Sequence, residues 1–294
     1  MRSVNYETVE WKGHASHRTK SGVQMKRLLQ GAPGPLNYEL TTVKPSEDYT
    51  TPRHRHNFEQ FMYVINGRWE FGVGDEGAAT DGMIGYIPEG SYYGPQRLHA
   101  GSFVITLQFG GASGLGFLAY EQWYQAQSEL SAEGRFESGL YYRNDGPDEG
   151  QDAAEAIWEH SNNRKVEYPP ARYSRPFAIN PNAFRWEVAG ASGGVARQRL
   201  GTFTEREWAL DIYRWAGNDE LKIGSSHLTL AILLDGSVSA SGETYPPLSA
   251  FETDPDEYAV LSGESGARLL CVTMADFANF EVAAEAEAVA AALA

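Results

Sequence analysis

The chain holds one cysteine, Cys271, in 294 residues, so no intramolecular disulfide can form. Cys271 lies in the apolar run "ARLLCVTM", where a small buried thiol is expected, and a reducing compartment suits it. Basic residues are scarce: 24 Lys and Arg stand against 39 Asp and Glu, a formal charge of −15. Such a charge repels phosphate backbones and anionic lipid surfaces, and there is no helix-turn-helix pattern with basic flanks. Neither nucleic acid nor membrane is an expected partner. Long apolar runs are also missing. "MRSVNYETVEWKGHASHRTK" has no core of signal-peptide length and no stretch reaches membrane-spanning length, which points to the cytoplasm.

What is abundant is β texture. From about residue 36 to 110, short runs such as "LNYELTTV", "QFMYVI", "RWEFGV", "MIGYI" and "SFVITLQF" alternate with turn signals, the pattern of a sandwich or barrel. Asn66-Gly67 reads as a type I′ hairpin turn. After residue 110, "GFLAYEQWYQAQSELSAEG" predicts a helix ended by Gly134, and "DEGQDAAEAIWEHSNN" a second, shorter one. Proline-rich turns follow. A second β-rich region then repeats the texture of the first, with Asp235-Gly236 placed like Asn66-Gly67. The chain therefore divides into an N-terminal barrel, 1–115, a helical and proline-rich connector, 116–185, and a C-terminal barrel, 186–294, whose Ala- and Glu-rich tail favours helix.

The stretch "PRHRHNFEQFMYVINGRWEF" carries the candidate chemistry. Residues two apart on a strand share a face, so His54 and His56 project together, and an unbroken strand adds Gln60, Met62 and Val64 to that face. Glu59 then points away, unless a bulge reverses the choice. The alternative for the histidines is an exposed strand start flanked by Arg53 and Arg55, and for Gln60 a core amide satisfied by backbone.

These residues resemble the cupins, small β-barrels whose two motifs run G-x5-H-x-H-x3 or 4-E-x6-G and G-x5-P-x-G-x2-H-x3-N. His54, His56, position 60 and Gly67 keep the first spacing; Gly82, Pro88, Gly90 and position 93 keep the second. The resemblance covers residues 36 to 110 and implies an all-β chain of two cupin-type jelly-roll barrels joined by the helical connector. Four positions depart from the pattern: Asp48 for the first glycine, Gln60 for the glutamate ligand, Tyr93 for the third histidine and Arg97 for the asparagine. An uncharged Gln weakens a divalent site, whereas a Tyr93 phenolate restores the charge. Tyr93 is thus a fourth ligand, a general acid beside the metal, or an aromatic packing the barrel mouth. His99, six residues on, is the other residue considered for completing the site; His14, His17 and His160 receive no role.

The resemblance implies one divalent metal ion per chain, with Fe(II) the first choice and Zn, Mn, Ni and Cu the alternatives, held by His54, His56, Gln60 and Tyr93. Met62 and Val64 would line the site of a small-molecule substrate. The first expectation is a mononuclear dioxygenase acting on a carbonyl-, enol- or phenol-bearing compound. A non-redox lyase, isomerase or hydrolase on the same residues is the second, and a metal-free binding module the third. The C-terminal region has no H-x-H and reads as a degenerate barrel. Exposed sheet edges suggest a homodimer.

Overall fold

The computed structural model describes residues 1–15, 22–72, 74, 77–146, 149–189 and 193–277. The tail expected to be helical lies outside these residues. Two seven-stranded sheets and two four-stranded sheets build a pair of barrels, all with antiparallel pairing. In the first barrel the large sheet runs Phe177–Ile179, Ile84–Ile87, Glu59–Asn66, Phe103–Phe109, Tyr38–Pro45, Gly22–Gln30, Lys12–Ala15. In the second it runs Arg2–Val4, Ala250–Thr253, Thr229–Asp235, Arg268–Thr273, Ala209–Trp215, Val195–Thr202, Glu187–Ala189, the same topology strand for strand. The small sheets repeat the correspondence.

Each large sheet borrows its edge strand. Arg2–Val4 pairs with Ala250–Thr253 of the second barrel, Ser3 opposite Phe251. Phe177–Ile179 pairs with Ile84–Ile87 of the first, Ala178 opposite Gly85. The division at 1–115 and 186–294 therefore differs from the fold: residues 2–4 belong to the second barrel's sheet and residues 177–179 to the first's. Long-range backbone pairing, which carries no local signal, decides both.

The outer faces of the large sheets meet in one core. Trp208 stacks on Phe203 with ring centres 4.3 Å apart and meets Tyr86 and Phe109 of the other barrel edge-on at 5.1 and 5.2 Å. Phe61, Tyr63, Leu210 and Leu230 belong to this shared cluster. The inner face of each barrel has a separate core, around Trp69 in the first and Trp215 in the second. Gly85 lets the Trp69 indole lie against the sheet, since a Cβ there would be 2.4 Å from the ring.

Asn66-Gly67 is not a hairpin turn. Gly67 has φ +100° while Asn66 stays in its strand, and the flanking strands enter different sheets. The pair forms a corner, closed by Asp81, whose carboxylate accepts the Gly67 N–H at 2.6 Å.

The connector holds helix α1, Tyr120–Glu133, helix α2, Ala153–Asn162, and an unexpected small sheet formed by Gly134–Glu137, Leu140–Arg143 and Gln151–Asp152. Helix α1 starts later than 116, where Gly116 takes a positive φ of +90°. Asp152 caps α2 by accepting the Ala154 and Glu155 N–H groups at 2.9 and 3.2 Å. No helix among the described residues is long and apolar enough to cross a membrane.

Because the barrels share a core through Trp208, the chain should unfold in one transition. Trp208→Ala should cost about 3–5 kcal/mol and lower the midpoint of that single transition in urea. Separate transitions for the two halves would contradict the shared core.

Candidate functional site

A cavity of about 170 Å³ opens between the two sheets of the first barrel. Part of its wall is apolar, with Val23, Met25, Val43, Met62 and Leu98. The polar residues Thr41, Thr51, Gln60, Gln96, Thr106 and Gln108 also line it. The connector covers the mouth with Phe117, Tyr120 and Trp123 from before and within α1, Trp158 from α2, and Tyr168 beyond it.

The two motif segments are locked together by backbone. His54 N–H donates to the Tyr93 carbonyl at 3.0 Å and Tyr93 N–H returns to the His54 carbonyl at 2.9 Å. Gly90, with φ +74°, donates its N–H to the His56 carbonyl at 2.7 Å. This pairing brings the His54 and Tyr93 ring centres to 4.3 Å and those of His54 and His56 to 5.0 Å. His54 Nδ1 donates to the Pro52 carbonyl at 2.7 Å, so in the neutral ring the lone pair sits on Nε2. His56 stacks on Phe58 at 4.1 Å, and its Nε2 is 3.0 Å from the Tyr93 hydroxyl.

The strand Glu59–Asn66 runs in register along Ile84–Ile87, with Gln60 opposite Ile87 and Met62 opposite Gly85. Gln60 and Met62 therefore face the cavity, and the Gln60 carbonyl oxygen accepts from the Gln108 amide at 2.8 Å. Val64 does not line it. It shares the Met62 face but lies fully buried in the cluster around Trp69, Ile87 and Val104, which corrects the expectation of a substrate contact there.

Glu59 points toward the other barrel. Its Oε2 accepts the Tyr86 hydroxyl at 2.7 Å and the Glu89 N–H at 3.2 Å. Burial, then the charge of Glu89, pushes its pKa up to about 8. Glu89 is held by Arg172 of the connector at 2.5 Å and by Ser113 Oγ at 2.7 Å.

His99 is drawn away from the cavity, 3.2 Å from the Glu70 carboxylate. Asp48 and Arg97, two of the four departures from the cupin pattern, bind each other: Arg97 Nε donates to Asp48 Oδ2 at 2.9 Å. His14, assigned no role, lines the cavity and its Nδ1 is 2.6 Å from the Tyr124 hydroxyl. Burial, then Arg27, pushes its pKa down to about 4, so it is neutral at physiological pH. Only its place opposite the strand Gly22–Gln30, with His14 against Val23, reveals it. His160 binds Glu129 at 2.7 Å on the connector, and His17 lies outside the described residues. In the second barrel Thr229 occupies the Gln60 register, and Trp215, Leu221, Tyr245 and Phe251 pack its interior.

Among the described residues, no three His, Cys, Asp or Glu side chains cluster as a metal site. An ion would need the two imidazoles, the Tyr93 phenol and the Gln60 amide. Their chemistry fits, since imidazole nitrogen and phenol and amide oxygens are all metal donors, and His56 Nε2 and the Tyr93 oxygen already lie within hydrogen-bonding distance of each other. The set supplies charge only through the phenol, so it suits an ion that acidifies Tyr93.

No protein-family model and no curated protein matches the chain. Solved structures do. A protein provisionally named a dioxygenase from Nostoc punctiforme superposes with TM-score 0.59 at 11% identity, over 95% of this chain and 84% of its own. Oxalate decarboxylase from Bacillus subtilis gives 0.53 at 12%, over 94% and 76%. A protein provisionally named glyoxylate-induced from Pseudomonas aeruginosa gives 0.52 at 13%, over 89% and 84%. The likeness is one of fold: the chain has the all-β, two-barrel cupin fold.

The buried Glu59 sets a pH dependence. Its folded pKa is raised, so from about pH 4.5 to about 8 the folded chain keeps a proton that the unfolded chain has released. The stability it contributes is complete below about 4.5 and falls as pH rises to about 8. Glu59→Gln should remove this decline. Wild type should lose stability relative to the variant, on the order of a few kcal/mol, between pH 5 and 9 in urea titrations. A constant difference across that range would show Glu59 ionised throughout.

Proposed function

We propose that this chain of two-barrel cupin fold is a metal-dependent enzyme acting on a small carbonyl-, enol- or phenol-bearing compound in its first barrel. Dioxygenation with Fe(II) is the first reading. One observation carries it: His54, His56, Gln60 and Tyr93, drawn from two motif segments, line one cavity covered by aromatic side chains of the connector. A bound divalent ion would supply Lewis-acid polarisation of a substrate oxygen or a place for dioxygen.

The chain's own groups do the rest. His54 presents Nε2 because Pro52 holds its Nδ1–H. The Gln60–Gln108 hydrogen bond fixes the amide. Tyr93, 4% exposed and hydrogen-bonded to His56, is placed to give a proton to a substrate oxygen. Phe117, Tyr120 and Trp123 limit water at the reacting centre. The second barrel, with its interior packed, serves as scaffold. A lyase, isomerase or hydrolase on the same residues differs in consuming no dioxygen. The neutral donor set favours a second reading, a metal-free binding module in which the imidazoles and phenol act as hydrogen-bonding groups.

Metal content by plasma mass spectrometry, on protein purified without chelator or His tag, tests this directly. Wild type should carry about one ion per chain, and His54→Ala with His56→Ala should carry none. Dioxygen uptake during turnover separates oxygenation from non-redox chemistry. Tyr93→Phe should keep its metal and lose about 10²–10⁴-fold in kcat if Tyr93 is the acid; loss of the metal would make it a ligand. A wild type that takes up no iron, zinc, manganese, nickel or copper would leave the binding module in place of the enzyme.

A further inference from the structure

The cavity lining does not share the chain's net negative charge. Against a net −15, its lining carries Arg55 and three imidazoles but one carboxylate, Glu155. Glu155 is engaged, its Oε1 accepting the Tyr168 hydroxyl at 2.9 Å. The half-buried Arg55 has no carboxylate within ion-pair distance among the described residues. Its guanidinium instead lies over the Tyr168 ring at 3.8 Å and near Tyr92 at 4.9 Å. Arg53 is 4.5 Å from the other aromatic neighbour, Tyr92, so two cations flank one tyrosine. A guanidinium held by aromatic rings keeps its planar fork of donors available to a carboxylate, and low-dielectric walls strengthen that attraction.

The interior carries a second signal. Thr51 Oγ1, Asn57 Nδ2, Gln96 Oε1 and Thr106 Oγ1 are buried, line this cavity and have no hydrogen-bond partner within the protein. Buried polar atoms are normally satisfied, so four unpartnered ones on residues that line one space show a polar wall beside the flat aromatic faces. The volume bounds its size. About 170 Å³ is slightly more than the roughly 150 Å³ that encloses one benzene ring.

We propose that the cavity selects a small planar carboxylate. Arg55 is the specificity-determining residue at the carboxylate, the aromatic walls flank the plane, and Thr51, Asn57, Gln96 and Thr106 give the rest of the wall its polar character. This names the substrate class of the site on which the proposed function rests, yet it requires no metal.

Benzoate and benzamide, alike in ring and size but not in charge, are suitable probes. Calorimetric titration of each into chelator-treated full-length protein at pH 8.5 reads the preference without any ion. Wild type should bind benzoate at least 10-fold more tightly than benzamide. Arg55→Gln should lose that factor for benzoate and keep its benzamide affinity within about twofold, while Arg55→Lys should retain part of the preference through its point charge. Equal binding of the two probes by wild type, binding of neither, or an Arg55→Gln variant that still prefers benzoate would each overturn the proposal. The wild-type comparison decides the matter even if a variant fails to fold. Because the protein is stripped, a missing catalytic metal and a missing carboxylate preference give separate results.

Discussion

The strand Glu59–Asn66 has no solvent-facing side along its first six residues, and the site depends on that constraint. Side chains alternate along it between two dry compartments. Phe61 and Tyr63 enter the core shared with the second barrel, whereas Gln60 and Met62 enter the cavity of the first. A slip of one residue would move the carboxylate of Glu59 into the cavity and the Gln60 amide against Trp208's neighbours, disturbing both at once. Packing between the barrels therefore fixes which group the cavity receives, and the choice of a neutral amide over the adjacent carboxylate is enforced from outside the site.

Each substitution away from the cupin pattern has a hydrogen-bonding partner, and for Asp48 and Arg97 that partner is another substitution. Asp48 with Arg97 forms an ion pair remote from the cavity, and Tyr93 with His56 forms a hydrogen bond within it. Gln60 meets Gln108 across the neighbouring strand. Each departure retains a satisfied partner, so the altered residues make a coherent local chemistry rather than a damaged version of another one.

The spacing of His54, His56, Gly67, Gly82 and Gly90 made the first barrel legible, because glycine corners and strand alternation are local properties written in consecutive residues. The same alternation placed Gln60 and Met62 on one face, while Val64, one step deeper, is where the cavity ends and Trp69 begins. Nothing local could reveal His14, whose strand reaches the wall only through pairing with Gly22–Gln30, or the connector aromatics, Phe117 to Tyr168, which cover the mouth from far along the chain. The Asn66-Gly67 corner misled for a related reason: a dipeptide records a sharp turn but not whether the next strand returns to the same sheet.

The reciprocal loan of edge strands has an architectural consequence. A chain one barrel long, carrying such a leading strand, could complete its sheet only by lending that strand to a copy and taking the copy's in return. Here both halves of that exchange lie within one polypeptide, so its topology is that of a swapped pair fused end to end. Such fusion frees the halves to diverge, because each keeps its complement however its interior changes. One barrel could fill with Trp215, Tyr245 and Phe251 while the other kept an open cavity.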